Sequence, residues 1–333
     1  MKGEKNINIY LKALKIALGS TIAIIIAYSL NLNYFTSAGI ITLLTLQNTT
    51  KETMIAAVRK ILAFVISVFI SYIVFKTFSY NLISYGIFLL IFIISCNYIK
   101  MYEAIPINAV LATHFLLEKD MSLLIISNEG FLMLIGAGTG ILLNLYIPSN
   151  IKFIRNEQEI IERDFKNILI CFANNIINKN KSDFVDTCFE SLNKHIESGI
   201  KQAKENMNNT FFRENKYFLE YMKLRRQQYK VLEEILLKIK TLTSVPSQAY
   251  EVSDFIILVS DSLSESQEAK GLLLSLEDLM IKFKESPLPV SREEFENRAI
   301  LYMVLMDLKV LIKMKENFAD SLTKEQIKLY WRE

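Results

Sequence analysis

Charge is scarce where the sequence begins. The first 150 residues carry 10 Lys/Arg and 6 Asp/Glu, whereas the remaining 183 carry 28 and 29. Cysteine is scarcer still: Cys96, Cys171 and Cys188 are three, widely spaced and without a CxxC pair. An odd, scattered set excludes a disulfide framework and a thiolate zinc site, and it fits a reducing compartment. A phosphate-binding glycine loop, HExxH, a nucleophile elbow and a kinase signature are also missing. Neither catalysis nor a bound cofactor or metal is therefore expected. The balanced charge of the second part argues against a nucleic-acid-binding surface.

What the first part does contain is apolar sequence, divided by charges and turn residues into six segments near 14–32, 34–47, 55–76, 81–99, 104–117 and 128–147. A membrane span needs roughly 20 apolar residues, with about 17 as the usual minimum. The first, fourth and sixth segments qualify. The third qualifies if Arg59 and Lys60 snorkel to the interface. The second and fifth fall short. A lysine-rich start before an apolar run also describes a signal peptide. Five further apolar segments and no convincing small-residue cleavage site favour a retained span. The expectation is an all-α polytopic membrane protein, with a transmembrane domain over 1–150 and a cytoplasmic helical domain over 151–333.

If all six segments cross, Lys2, Lys5, Lys12, Lys15, Lys51, Arg59, Lys60, Lys100, Lys152 and Arg155 fall on one side. Only Lys76 and Lys119 fall on the other. This asymmetry predicts cytoplasmic termini on a multi-pass chain in the cell membrane. The order long, short, long then repeats, and three crossings per half would invert the second copy. Inverted 3+3 repeats place substrate near the midplane, at interrupted helices. Polar residues gather in the two short segments: Thr36, Ser37, Gly39, Thr42, Thr45, Gln47 and Asn48 in one, Pro106, Asn108, Thr113 and His114 in the other. Lipid-facing polar groups are costly, so these should face the bundle interior or a wet cavity.

The bland reading of Thr42, Thr45 and Thr113 is that their hydroxyls bond their own helices or glue neighbours. His114 and Glu129 are ionisable and set in or beside apolar runs, where function is the default hypothesis. His114 is either a pathway residue that exchanges protons, with Glu118 four residues on as its partner, or a neutral packing residue. Glu129 is either on the pathway or a cap at the start of the sixth segment. "GAGTG", Gly136 to Gly140, fails as a dinucleotide fingerprint because no strand precedes it. As small-xxx-small it lets another helix approach, from the same chain or from a second protomer of a homodimer. Gly19 is a similar candidate in the first segment.

From residue 151 on, charged and apolar residues alternate at helical spacing, which predicts a bundle of four to six amphipathic helices. One predicted core face holds Tyr217, Tyr221, Leu224, Val231, Leu232, Ile235, Leu236 and Ile239. Another holds Phe295, Ala299, Tyr302, Met306 and Val310, entered through a Ser291–Glu294 capping box and a Val290–Phe295 staple. "KLRRQQYK" and His195 are expected on the solvated surface.

Three stretches, "KALKIALGSTIAIIIAYSLNLNYFTSAGIITLLTLQNTTKET", "INAVLATHFLL" and "NEGFLMLIGAGTGILLNL", resemble the bacterial aromatic acid exporter family with six membrane helices. "YFLEYMKLRRQQYKVLEEI" is similar to that family's cytoplasmic domain. The wider group resembles fusaric-acid-resistance pumps and plant malate channels. The resemblance implies export of aromatic carboxylates, with lipid, a small organic anion and protons as partners. Tyr34, Phe35, Phe64, Phe115 and Phe131 would offer rings. With no deep lysine or arginine expected, an anion would use the helix starts at Pro106 and at the second segment. Arg59, Lys60 and Lys100 would concentrate anions at the cytoplasmic mouth. An uncoupled anion channel is the nearest alternative. A membrane-anchored regulator or scaffold, acting through its cytoplasmic domain, is the alternative of a different class.

Overall fold

The structure is a computed structural model that describes residues 2–145, 150–178, 184–209, 216–262 and 269–331. Two compact units emerge, Met1–Pro148 with Asn208–Phe212, and Ser149–Met207 with Arg213–Glu333. The described residues form thirteen α-helices and one short 3-10 turn, without strands.

The first unit contains α1 (Lys2–Ser29), α2 (Thr36–Thr45), α3 (Thr50–Phe78), α4 (Leu82–Tyr98), α5 (Ile105–Glu118) and α6 (Leu123–Asn144). Side-chain caps open α3 and α4: Thr49 accepts from the Glu52 amide, and Asn81 from the Ser84 amide. Each satisfies one of the amides that a helix start leaves without an intrahelical partner. Two of the six helices, α3 and α6, are by themselves long and apolar enough to cross a membrane; α1 (over Ala13–Ser29), α2 and α4 are shorter apolar helices. At 1.5 Å per residue, the ten residues of α2 reach about 15 Å and the fourteen of α5 about 21 Å. Both stop short of a bilayer core of about 30 Å. The end of the sixth expected span, residues 146–147, lies outside the described residues.

Pairing of these helices has a two-fold pattern. α2 packs on α1 and α6; α5 packs on α4 and α3. α1 meets α6 as α4 meets α3, and α3 meets α6 across the middle. Exchanging α1–α3 with α4–α6 therefore carries each principal pairing onto another. Small residues permit the closest approach. A Cβ on Gly39 would lie 2.7 Å from Ile24 Cδ1 and 3.0 Å from the Ser20 carbonyl. A Cβ on Gly136 would lie 2.5 Å from Ile41 Cβ, and one on Gly140 3.2 Å from Thr45 Cβ. The Gly136/Gly140 face is thus occupied by α2 of the same chain rather than free for a second protomer. Gly19 packs on Leu143 and Thr42.

The second unit is built from α7 (Ile151–Asn178), α8 (Phe184–Asn209), α9 (Tyr217–Lys240), α10 (Gln248–Ser262), α11 (Lys270–Glu285), α12 (Arg292–Ser321) and α13 (Lys324–Tyr330). Among the described residues that is seven helices, where four to six were expected; α13 is a short piece set off by the Thr323–Gln326 capping box. The face expected on α9 is buried, apart from a partly exposed Val231. On α12 the expected face is wrong. Leu301, Val304, Leu305, Leu308, Leu311 and Ile312 are buried, while Phe295, Met306 and Val310 are exposed. This helix carries two apolar stripes, and the aliphatic one turns inward. No staple forms, since Val290 is 95% exposed. Ser291 does cap the Glu294 amide, but the Glu294 carboxylate accepts from the Val290 amide instead of the Ser291 amide.

Two polar residues of "KLRRQQYK", Arg225 and Gln228, are buried instead of solvated. Arg225 donates to Tyr221 Oη (2.9 Å), Gln228 Oε1 (3.0 Å) and Glu162 Oε1 (3.1 Å). Near it, Lys315 donates to the Ser262 carbonyl at 3.0 Å. Burial, with the Arg225 guanidinium adding to it, pushes the Lys315 ammonium down from 10.5 to about 8. Below that value folded and unfolded chains both carry the charge, and the folded chain bears the cost of burying it. Between about 8 and 10.5 only the unfolded chain keeps its proton, so stability rises with pH across that window. Lys315→Met is expected to flatten this rise, worth up to about 3 kcal/mol. Denaturant midpoints near both ends of the window measure it. An unchanged rise in the variant would assign it to other groups.

Candidate functional site

The two short helices run antiparallel past each other. Tyr34, just before α2, stacks its ring on His114 late in α5 (centroids 3.9 Å, 7° between planes). The start of α2 therefore lies beside the end of α5. The two helix starts expected to share an anion sit at opposite ends of the pair and do not converge.

The first end holds an acid–base cluster. His114 is 5% exposed and Glu129 fully buried. His114 Nδ1 lies 2.7 Å from Glu129 Oε2. Asn128 Nδ2 donates to Glu129 Oε1 at 3.0 Å. The same Asn128 side chain brackets the α1–α2 linker: its Nδ2 donates to the Asn33 carbonyl and its Oδ1 accepts from the Asn33 amide. Tyr34, held at a φ of 55°, caps His114 with its ring and donates its hydroxyl to Glu118 at 2.9 Å. A bulky residue at positive φ is strained, and these contacts hold this one in place.

Two expectations are corrected here. The carboxylate partner of His114 is Glu129 on the neighbouring helix, while Glu118 bonds Tyr34. Nor does Glu129 cap α6: that helix begins at Leu123, so Glu129 sits in its second turn facing the bundle.

The second end holds a buried cation that sequence reasoning places at the interface. Lys60 is 1% exposed. Its Nζ donates to the Leu44 carbonyl at 2.7 Å and to Thr45 Oγ1 at 3.4 Å, satisfying the orphan carbonyl end of α2. The non-helical link from α2 to α3 is bonded by Asn144, whose Nδ2 donates to Gln47 O, Thr49 O and Thr53 Oγ1. Buried irregular backbone requires such internal partners. A lone asparagine in the apolar run "GILLNL" was the available signal. Asn108 completes this end, its Nδ2 donating to the Ala104 carbonyl (2.9 Å) and the Lys60 carbonyl (3.3 Å).

The remaining candidates scatter. Thr42 Oγ1 donates to Ala38 O and to Gly136 O, joining α2 to α6. Thr45, besides accepting from Lys60, donates to Ile41 O in its own helix, while Thr113 folds back on Val110 O, apart from either cluster. Gln47 reaches Leu44 O at 3.4 Å from a half-buried position. The rings do not form one box: Phe35 packs edge-on to Tyr28, Phe115 lies in the α3–α4–α5 core, and Phe131 is 53% exposed. In the second unit His195 is no bare surface residue. Its Nδ1 lies 2.6 Å from Glu157 Oε2, and Ser198 donates to the other oxygen of that buried carboxylate. Among the described residues no cluster of three or more His, Cys, Asp or Glu could hold a metal.

Comparison with known proteins adds a second line. Residues 7–147 match the family model described as "Aromatic acid exporter family member 1", and residues 152–316 match "Putative aromatic acid exporter C-terminal domain". The chain is 28% identical over 307 residues to "Uncharacterized protein YqjA" of Bacillus subtilis (strain 168), covering 92% of this chain and 95% of that one. A solved structure titled "Crystal structure of putative membrane protein from Clostridium difficile 630" is 34% identical, covers 50% of this chain and 99% of its own, and superposes with a TM-score of 0.45.

Proposed function

The chain belongs to the aromatic acid exporter family, and on that premise we propose that it carries small organic anions, aromatic carboxylates foremost, out across the cell membrane with a proton as coupling ion. It acts by transport and not by catalysis. In this reading α1–α6 all cross or re-enter the membrane as an inverted pair of three-helix halves, and both termini are cytoplasmic. The ten-to-two distribution of basic residues supports that orientation. A homodimer remains part of the reading, through a surface other than the Gly136/Gly140 face.

One observation carries the proposal: a buried imidazole–carboxylate pair at the end of two half-length helices. An anchor has no use for ionisable groups in a bundle core, where they are expensive. The pair can hold one proton in two places, on the imidazole or shared toward Glu129. The Tyr34 ring and the Asn128–Asn33 bracket close this end against solvent. Opening it would admit a proton; closing it commits the proton to the bundle.

The test is uptake of ring-labelled benzoate into inverted vesicles, with and without an inside-acid proton gradient. Uptake above that of vesicles lacking the protein, and raised by the gradient, is the expected result. Flux indifferent to the gradient would assign an anion channel. No flux at all would leave the regulator reading in its place.

A further inference from the structure

We infer that the Lys60 ammonium is the anchor for the carboxylate of the transported acid, with Asn108 beside it completing the subsite. The inference rests on the exporter reading and adds to it a place for the substrate's charge.

A buried charge is stable when paired, and Lys60 is not paired with a charge. It is 1% exposed, yet its acceptors are one carbonyl and one hydroxyl, the latter at 3.4 Å. Among the described residues no carboxylate stands within 4 Å of its Nζ; Glu103, which acts on it electrostatically, is exposed. An ammonium has three N–H donors, so one is left for a ligand. Neutral acceptors offset only part of the cost of taking a cation out of water. An anion arriving here gains what the resting protein lacks.

Asn108 points the same way independently. Its amide orientation is fixed, because Nδ2 faces two carbonyls, and a flipped amide would set oxygen against oxygen. Oδ1 is therefore committed to the opposite direction, where it is fully buried and has no donor. An unsatisfied buried acceptor is uncommon. One N–H of Lys60 lacks an acceptor, and Asn108 Oδ1 lacks a donor. A carboxylate supplies the acceptor to Lys60, and water that accompanies it can supply the donor to Asn108 Oδ1.

The placement suits a transport cycle. Asn108 and His114 share α5, six residues or about 9 Å apart along the helix. Lys60 is meanwhile engaged by the carbonyl end of α2, whose opposite end is pinned at Tyr34. Leu44 O and Thr45 Oγ1 thus stand in for the substrate in the unloaded protein. Anion binding releases α2 at one end and leaves the proton site at the other end of the same helix.

Equilibrium dialysis of the purified full-length protein in mild detergent tests this, with benzoate and its neutral analogue benzamide as probes. The wild type should bind benzoate and prefer it to benzamide. Lys60→Gln, which keeps a donor for Leu44 O, should weaken benzoate at least about tenfold and lose the preference. Lys60→Arg keeps the charge and should retain the preference with an altered affinity, and it carries the test if the glutamine variant fails to fold. Unchanged benzoate affinity in folded Lys60→Gln, or loss of the preference for benzoate in folded Lys60→Arg, overturns the inference while leaving the exporter reading intact. Displacement of benzoate by an equal concentration of chloride overturns the carboxylate assignment. A wild type that binds no benzoate overturns both readings.

Discussion

Efflux by His114→Gln and by Glu129→Gln is expected to fall by about a hundredfold each, and the double variant is expected to be no worse than either single one. A proton relay acts as a unit, so removing one member removes the function and removing the second costs nothing more. The magnitude is that of losing a positioned proton-transfer group. Glutamine is the informative substitution. At 114 its amide can still donate to Glu129, and at 129 its oxygen can still accept from His114, so the contact across α5 and α6 is largely kept. Leucine at either position would strand the partner in the core and cost about 3–5 kcal/mol, confusing transport with folding.

The measurement is benzoate uptake into inverted vesicles from about pH 6 to about pH 8, at matched protein abundance. Wild-type uptake should vary with pH, and what remains in the variants should not. A purely structural pair predicts something else: similar rates in the glutamine variants, additive losses, and a common pH profile. Either of the last two would remove the proton from the cycle.

Much of this architecture is legible in the sequence. Charges and turn residues bracket the helices, and the five described non-glycine residues at positive φ all fall in the connections between helices α1 to α6. What cannot be read is which neighbour each buried polar group chooses. His114 has Glu118 one turn away on its own helix, and local spacing favours it. The tertiary partner is fifteen residues on, brought into range only because α6 begins at Leu123. Lys60 follows Arg59 near a charged helix start, which reads as snorkelling. It turns inward because α2 ends beside it with carbonyls unsatisfied, a fact invisible until α2 is known to be ten residues long. His195 shows the same blindness, since its glutamate lies thirty-eight positions away on another helix. On α12 periodicity is present twice over, and only packing decides between two apolar stripes.

Gly136→Ala is expected to destabilise the protein by about 1–3 kcal/mol, with Gly138→Ala neutral or slightly stabilising. The two glycines lie two residues apart on α6, so residue type and helix are shared and only their surroundings differ. A Cβ at 136 would meet Ile41 Cβ at 2.5 Å and the Ala38 carbonyl oxygen at 2.7 Å; one at 138 would meet nothing within 4 Å. Part of the obstruction at 136 is backbone, so no rotamer change relieves it and α2 must move away from α6. That movement would stretch the 3.0 Å bond from Thr42 Oγ1 to the Gly136 carbonyl. It would also shift both ends of α2 together, drawing Leu44 O from Lys60 and Tyr34 from His114. Benzoate binding and the pH profile should therefore suffer in Gly136→Ala beyond what its melting temperature alone implies. Melting temperatures in detergent and benzoate dialysis on both variants check this. Equal stability of the two would mean that α2 is not seated on α6 through this glycine, and the coupling between the Lys60 and His114 ends would lose its rigid link.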